Sequence, residues 1–217
     1  MRNIICVEEN EIMFINEVPL VMFEYGIKKT FIKNSKIFKI NSNVKHCYFI
    51  LSGTVKTYID HKNGRRSILD FIGENDWIGE LSLFCKESDI KENKVLQEVE
   101  CLEFDIYKLQ ALCKEKVEVS FYFASYIANK LLVRSYRMSE NLNYPLEDRL
   151  AFFILKYQHR GTYDIPHVDV SEYMNVSYRH MLYVIKKFCE LGILTKEEGK
   201  GKGYLISDND KLNQYQS

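Results

Sequence analysis

The segment HVDVSEYMNVSYRHMLYVIKKF, residues 167–188, constrains the chain more tightly than any other. Two short helices joined at a tight turn need apolar residues where they touch. They need a small residue where the second helix crosses the first, and a turn residue that tolerates left-handed backbone. Counting His167 as position 1, apolar residues stand at positions 4, 8, 10, 15 and 18: Val170, Met174, Val176, Met181 and Val184. Ser171 supplies the small residue, Asn175 suits the turn, and Ser177 is placed to cap the second helix. An ordinary pair of packed helices explains the apolar positions. It does not explain Ser171, Asn175 and Ser177 arriving with them. The segment therefore reads as a helix-turn-helix. After it, GILTKEEGKGKGYLISD reads as two short strands, 193–195 and 204–206, flanking a Gly/Lys-rich loop: the hairpin of a winged helix.

The outward face of the second helix is expected to carry Tyr178, Arg179, His180, Tyr183 and Lys187. In helix-turn-helix proteins the N-terminal turns of this helix enter the major groove. Arg179 suits a bidentate contact to guanine. Tyr178, His180 and Tyr183 suit bases, phosphates or thymine methyls. Ser177 suits a phosphate at the positive end of the helix. Lys196, Lys200 and Lys202 suit phosphate oxygens from the wing. The formal net charge of the chain is zero, and Glu190, Glu197 and Glu198 dilute this region. Affinity is expected from a few placed contacts and a modest salt slope, not from a broad basic field.

Upstream the texture differs. From about 27 to 107, short runs such as CYFIL, TVKTYI, SILDFI and QEVECLEFD are rich in aromatic and β-branched residues. NSN at 41–43, SG at 52–53, KNG at 62–64 and GEND at 73–76 read as turns between them, with Gly53, Gly64 and Gly73 expected to supply positive φ or a tight bend. This rhythm predicts an antiparallel roll or barrel. Residues 1–25 suggest a helix and a lead-in strand. At about 108 the texture turns helical. Over 118–143, Ala124, Ala128, Leu131, Ser135, Met138 and Leu142 follow a 4-3-4-3-4 spacing, the seam of a two-helix contact. Such a helix can lie on its own roll, pair with a second copy, or do both. Phe121, Phe123, Ile127 and Leu132 lie off the seam and are expected to face the roll. Asn143-Tyr144-Pro145 then breaks the helix. The predicted organisation is a roll over 1–117, a dimerisation helix over 118–143 and a winged helix-turn-helix over 146–217, an α+β chain of 217 residues.

Composition excludes several classes. With 46% hydrophobic and 13% aromatic residues there is material for packed cores and no general disorder. Cys6, Cys47, Cys85, Cys101, Cys113 and Cys189 are scattered singly, as expected of buried thiols in a reduced cytoplasm. The start MRNIICVEEN does not read as a secretory signal, and no run is long enough to predict a membrane span. A metal-dependent catalytic roll would need clustered His and Glu. The five histidines, 46, 61, 159, 167 and 180, show no such spacing, so no enzyme and no metal site are expected.

The order of roll, long helix, hinge and winged helix resembles the cyclic-AMP receptor protein/fumarate–nitrate regulator (Crp/Fnr) family of bacterial transcription factors, over about 27–206. Three stretches carry the resemblance: 50–84, which ends in DWIGELSLF; EDRLAFFIL at 147–155; and NVSYRHMLYVI at 175–185. The resemblance implies a cyclic-nucleotide-binding-like roll, a cytoplasmic homodimer, a double-stranded operator with two-fold symmetry, and RNA polymerase as a partner. It also places an effector pocket at Gly79, Glu80, Lys91 and Arg134.

The departures are as informative. Family members that bind cyclic AMP use the Gly-Glu turn for the ribose and an Arg-Ser pair about ten residues on for the phosphate. Here that region reads SDIKEN, 88–93, with Lys91 in place of a planar fork, and with Asp89 and Glu92, which are expected to repel a phosphate. On the long helix a Thr-Ser pair is replaced by Arg134-Ser135. Cyclic AMP is therefore not the expected effector. Cys6 alone at the N-terminus does not supply an iron–sulfur ligand set. His46 and His61 are the candidate haem ligands, though a lone histidine is more often structural. Tyr178, Arg179 and Tyr183 replace the Arg, Glu and Arg of the family's S-R-E-x-x-x-R, so the half-site should differ. The competing reading is a ligand- or protein-interaction roll whose C-terminal domain does not bind DNA specifically.

Overall fold

Gly53 bends the strand on which the first half of the molecule is built. A Cβ there would lie 2.1 Å from the carbonyl oxygen of Glu98, and φ is +93°. Only glycine fits. The computed structural model describes residues 18–38, 44–62, 64, 66–86, 91–158, 160–196 and 203–215. They fall into two compact units that divide between Val133 and Arg134.

In the first unit a short helix α1 (Leu20–Phe23) leads into strands β1 (Ile27–Phe31), β2 (His46–Asp60), β3 (Arg66–Ile72) and β4 (Trp77–Ile78). A single 3-10 turn (Glu80–Leu83) precedes β5 (Glu92–Asp105) and helices α2 (Ile106–Glu115) and α3 (Val117–Asn143). All pairings are antiparallel, in the order β1-β5-β2-β3, with β4 also on β2. The runs CYFIL and TVKTYI are not separate strands. They are halves of β2, and Ser52-Gly53 is a kink with register shifts on both sides, not a turn. Gly73 does sit at a tight turn, but the positive φ of that turn falls on Asn75.

The period of two decides which core each side chain joins. On β2, Cys47 and Phe49 point to a core shared with Trp77, Phe104, Leu109 and Phe123, while Tyr48 and Ile50 point to a second core with Val95, Val99 and Cys101, which Val55 joins because the register shifts at the kink before it. The sheet thus buries both faces. The first core is closed by helices α2 and α3, through Leu109, Leu112, Val119, Tyr122, Phe123 and Tyr126.

Every residue of the predicted seam of α3 is exposed in the single chain. Phe123 and Ile127 pack toward the roll as expected. Phe121 and Leu132 do not: they are 70% and 55% exposed. The reason is angular. The stripe Val119, Tyr122, Phe123, Tyr126 already covers the roll-facing arc, and Phe121 falls in phase with the outer seam. Val117 and Phe121 extend that seam back by one heptad, to Val117-Phe121-Ala124-Ala128-Leu131-Ser135-Met138-Leu142.

In the second unit, the end of α3 is followed by α4 (Leu146–Tyr157), β6 (Thr162–Tyr163), α5 (His167–Tyr173), α6 (Tyr178–Glu190), β7 (Leu194–Lys196), β8 (Tyr204–Ile206) and α7 (Asn209–Gln214). Strands order as β6-β8-β7, and β7 with β8 forms the predicted wing hairpin. The core joins Leu150, Phe153 and Ile154 of α4 to Val170, Met174, Met181, Val184 and Phe188, all buried.

His167 opens α5 inside an aromatic sandwich. Its ring stacks on Tyr163 at 5.9 Å and lies against Tyr204 at 5.3 Å. Burial holds its pKa below the ordinary 6.5. The folded state therefore binds this proton less readily than the unfolded chain. The resulting stability is complete above pH 6.5 and is lost as pH falls below that value toward the depressed folded pKa. We expect the denaturation midpoint to drop on acidification through this window, and His167→Phe to remove that part of the drop. An unchanged pH profile in His167→Phe would show that the imidazole contributes nothing to it.

Candidate functional site

The Gly79–Glu80 turn is shaped by two close approaches. Gly79 has φ +89°, and a Cβ on it would meet the His46 carbonyl and the Phe38 ring at 3.1 Å. The Cys47 thiol, buried beneath, donates to the Gly79 carbonyl at 3.3 Å. Glu80, the first residue of the 3-10 turn, is buried.

What faces this turn comes from α3. Tyr122, Tyr126 and Lys130 follow at intervals of four and so share one face of the helix. The indole nitrogen of fully buried Trp77 donates to the Tyr122 hydroxyl at 2.8 Å, and its main-chain N–H donates to the Tyr126 hydroxyl at 2.9 Å. The Tyr126 hydroxyl donates in turn to Asp76 Oδ1 at 3.0 Å. The Lys130 ammonium donates to Glu80 Oε1 at 3.0 Å and to the Trp77 carbonyl and the Tyr126 hydroxyl, each at 3.3 Å. Its three protons are thereby all engaged. Burial raises the Asp76 pKa, and burial likewise pushes the Tyr122 phenol up to about 12. Glu80, the residue expected to take a ribose hydroxyl, already holds an internal cation.

Of the four residues expected to form an effector pocket, two make up this turn. Gly79 and Glu80 stand together beside the Tyr48–Ile78 pair. Lys91 stands one residue before β5, whose Glu92 pairs with Tyr58 near the far end of β2. Arg134 stands on α3, four residues after Lys130. The expectation that Glu92 repels a phosphate needs correction. Its buried carboxylate pairs with Lys36 at 2.6 Å and accepts from Tyr58, so its charge is compensated. Residues 88–90, including Asp89, lie outside the described residues. Lys130 was not singled out from sequence. The signal that reveals it is the polar i, i+4, i+8 series Tyr122, Tyr126, Lys130 lying off the seam.

His46 begins β2 and His61 follows its last residue, so the two stand at opposite ends of a 15-residue strand and do not converge. His61 bonds Ser67 at 2.8 Å. Among the described residues no three His, Cys, Asp or Glu side chains gather as metal ligands, and no helix is long and apolar enough to cross a membrane.

In the second unit the helix-turn-helix chemistry falls as the sequence predicts. Asn175 is left-handed, at φ +54°. Ser171 is buried where α5 meets α6, its hydroxyl donating to the Val168 carbonyl at 2.8 Å. Ser177 caps α6, its Oγ accepting from His180 N–H at 3.2 Å. Tyr178, Arg179, His180 and Tyr183 are all exposed. Lys187 differs from them. It is half-buried, and its ammonium pairs with Glu147 Oε1 of α4 at 2.9 Å, an interaction that raises the Lys187 pKa. Lys186 and Leu182 stand on the exposed face instead, with Lys186 in an i, i+4 pair with Glu190. Lys196 is exposed on β7, while Lys200 and Lys202 lie outside the described residues.

Comparison with known proteins agrees with this geometry. Residues 28–116 match the family model of the cyclic nucleotide-binding domain. The chain is 31% identical over 169 residues to the regulatory protein YeiL of Escherichia coli O157:H7, covering 76% of this chain and 74% of that protein. It is 23% identical over 175 residues to a CRP-like cAMP-activated global transcriptional regulator of Mycobacterium tuberculosis, covering 76% and 77%. Its fold matches that of a CRP/FNR-family transcriptional regulator of Thermus thermophilus, with TM-score 0.71 at 15% identity over 88% of this chain and 98% of that one.

Lys130→Met leaves the Glu80 carboxylate buried without its counter-charge, and should cost about 3–5 kcal/mol of stability in denaturant unfolding. Adding Glu80→Gln should return part of that loss, because no bare charge then remains. A single variant as stable as the parent chain would mean that the pair contributes nothing.

Proposed function

The chain belongs to the Crp/Fnr family of bacterial transcription regulators, and from that premise we propose that it reads a two-fold symmetric operator as a homodimer without using cyclic AMP. One observation carries the reading: a complete helix-turn-helix whose second helix is capped by Ser177 and presents Tyr178, Arg179, His180 and Tyr183 to solvent. Its N-terminus can take a phosphate while Arg179 takes a guanine edge. Lys200 and Lys202 of the wing loop are assigned to phosphates. Lys187, held by Glu147, is the least suited of the predicted contacts.

The dimer reading is supported by the eight-position seam of α3. Its apolar residues are out of water only if a second helix covers them, and Ala124, Ala128 and Ser135 allow a close approach. Crp/Fnr regulators bind DNA and commonly act as dimers. The relatives are named as a regulatory protein and a transcriptional regulator, and no enzymatic role is proposed. RNA polymerase is the proposed protein partner and the cytoplasm the proposed setting.

The effector is where this chain departs from a relative named as cAMP-activated. A cyclic nucleotide would have to share the Glu80 carboxylate with Lys130, and the region of Lys91 offers a point charge in place of a bidentate fork. The competing reading, a roll with a DNA-silent C-terminal domain, leaves the exposed Arg179 without a role.

Selection of bound sequences from a random DNA pool tests the proposal directly. A palindrome with half-sites about one helical turn apart, roughly 10–10.5 bp, is the expected outcome. No enrichment at low salt would favour the DNA-silent reading. On the selected operator, Arg179→Ala should weaken binding by about 1–3 kcal/mol while random DNA is bound nearly as before. Equal loss on both would remove its base-reading role. Cyclic AMP at millimolar concentration should leave the melting temperature in place, and a clear rise would restore it as the ligand.

A further inference from the structure

Arg149 lies at the end of the first turn of α4, where three chain segments meet. Its Nε donates to the Tyr144 carbonyl at 3.1 Å. Its Nη1 donates to Asn141 Oδ1 at 2.6 Å and to the Met174 carbonyl at 3.0 Å. Tyr144 directly follows α3, and Met174 is the C-cap of α5. Both main-chain acceptors thus lie at helix C-termini, where carbonyls lack intrahelical donors and the helix dipole is negative. A guanidinium suits this junction, because it is permanently charged and its donors point in fixed directions. A parallel contact runs between the same two helices. The Arg137 guanidinium of α3 lies 4.4 Å over the ring of Tyr173, the last residue of α5.

We propose that Arg149 is a positioning residue for DNA reading: it fastens the end of α3 to the helix-turn-helix turn and so fixes the pose of α6. The proposal rests on the homodimeric, DNA-reading function argued above. Arg149 acts through Met174 and the left-handed Asn175 beside it, which together aim Ser177 and the N-terminus of α6. In a dimer joined along α3, this pose sets the separation of the two reading helices, and hence the half-site spacing that fits. Lysine would keep the charge but cannot donate along the same three directions from one planar group.

The test uses the full chain and the operator recovered by selection, remade as a series with half-site spacing stepped by single base pairs. The parent chain should show one sharp optimum, losing about tenfold or more when a half-site falls out of register. Arg149→Lys, and the milder Asn141→Ala, should flatten that optimum while still preferring the same half-site bases. A uniform loss of affinity at every spacing, or an unchanged profile in both variants, would overturn the positioning role. Hydrogen exchange supplies a second, DNA-free measurement. Faster exchange in Arg149→Lys should be confined to the residues around 141–146 and 173–178, and unaltered exchange there would also overturn the proposal. A parent chain that enriches no DNA would overturn the DNA-reading function itself, and Arg149 as its positioning residue with it, whatever the exchange data show.

Discussion

An indole nitrogen buried in an apolar core must find an acceptor, and the way Trp77 meets that demand organises the first unit. Its N–H reaches the Tyr122 hydroxyl, and the adjacent main-chain N–H reaches Tyr126. An unmade bond at this depth would cost about 1–3 kcal/mol. The helix that supplies the acceptors is therefore held at one rotation and one height against residues 76–80. The ring itself packs on Phe49, Phe104 and Phe123 at 5.1–5.2 Å, so the polar bonds and the aromatic contacts specify the same placement.

This placement has a consequence for the outer side of α3. With Val119, Tyr122, Phe123 and Tyr126 turned inward, Leu131, Met138 and Leu142 are turned away and left in water. One helix thus carries two stripes with different tasks, and the rotation that satisfies Trp77 also presents the seam. Lys130 belongs to the inner stripe. Its pairing with Glu80 fixes the Gly79–Glu80 turn from within the chain. In the second unit the same economy of charge appears. Lys187 is committed to Glu147, which leaves Arg179 and Lys186 as the exposed cations among the described residues of α6. Recognition built on so few charges depends on aim more than on field strength.

Much of this was legible in the chain itself. The helix-turn-helix could be read because its demands are local: Ser171, Asn175 and Ser177 each answer a backbone or packing requirement within a few residues. The roll could be read as a class but not strand by strand. Ser52-Gly53 has the composition of a turn, and only pairing with Glu98 to Glu100 makes it a kink in one long strand. Phe121 and Leu132 were misplaced because a heptad pattern gives the angle between stripes and not which stripe faces home.

The sequence by itself determined the order of the elements, the exposed face of α6 over Tyr178, Arg179, His180 and Tyr183, and the existence of two apolar stripes on α3, since these follow from spacing along the chain. Tertiary structure alone decided which partners the charged groups take. Lys130 and Glu80 are 50 residues apart, as are Tyr126 and Asp76, while Lys187 and Glu147 are 40 apart and Arg149 and Met174 are 25. A long side chain can reach many partners in principle. Only the folded backbone, by burying one end and fixing the other, leaves it a single one.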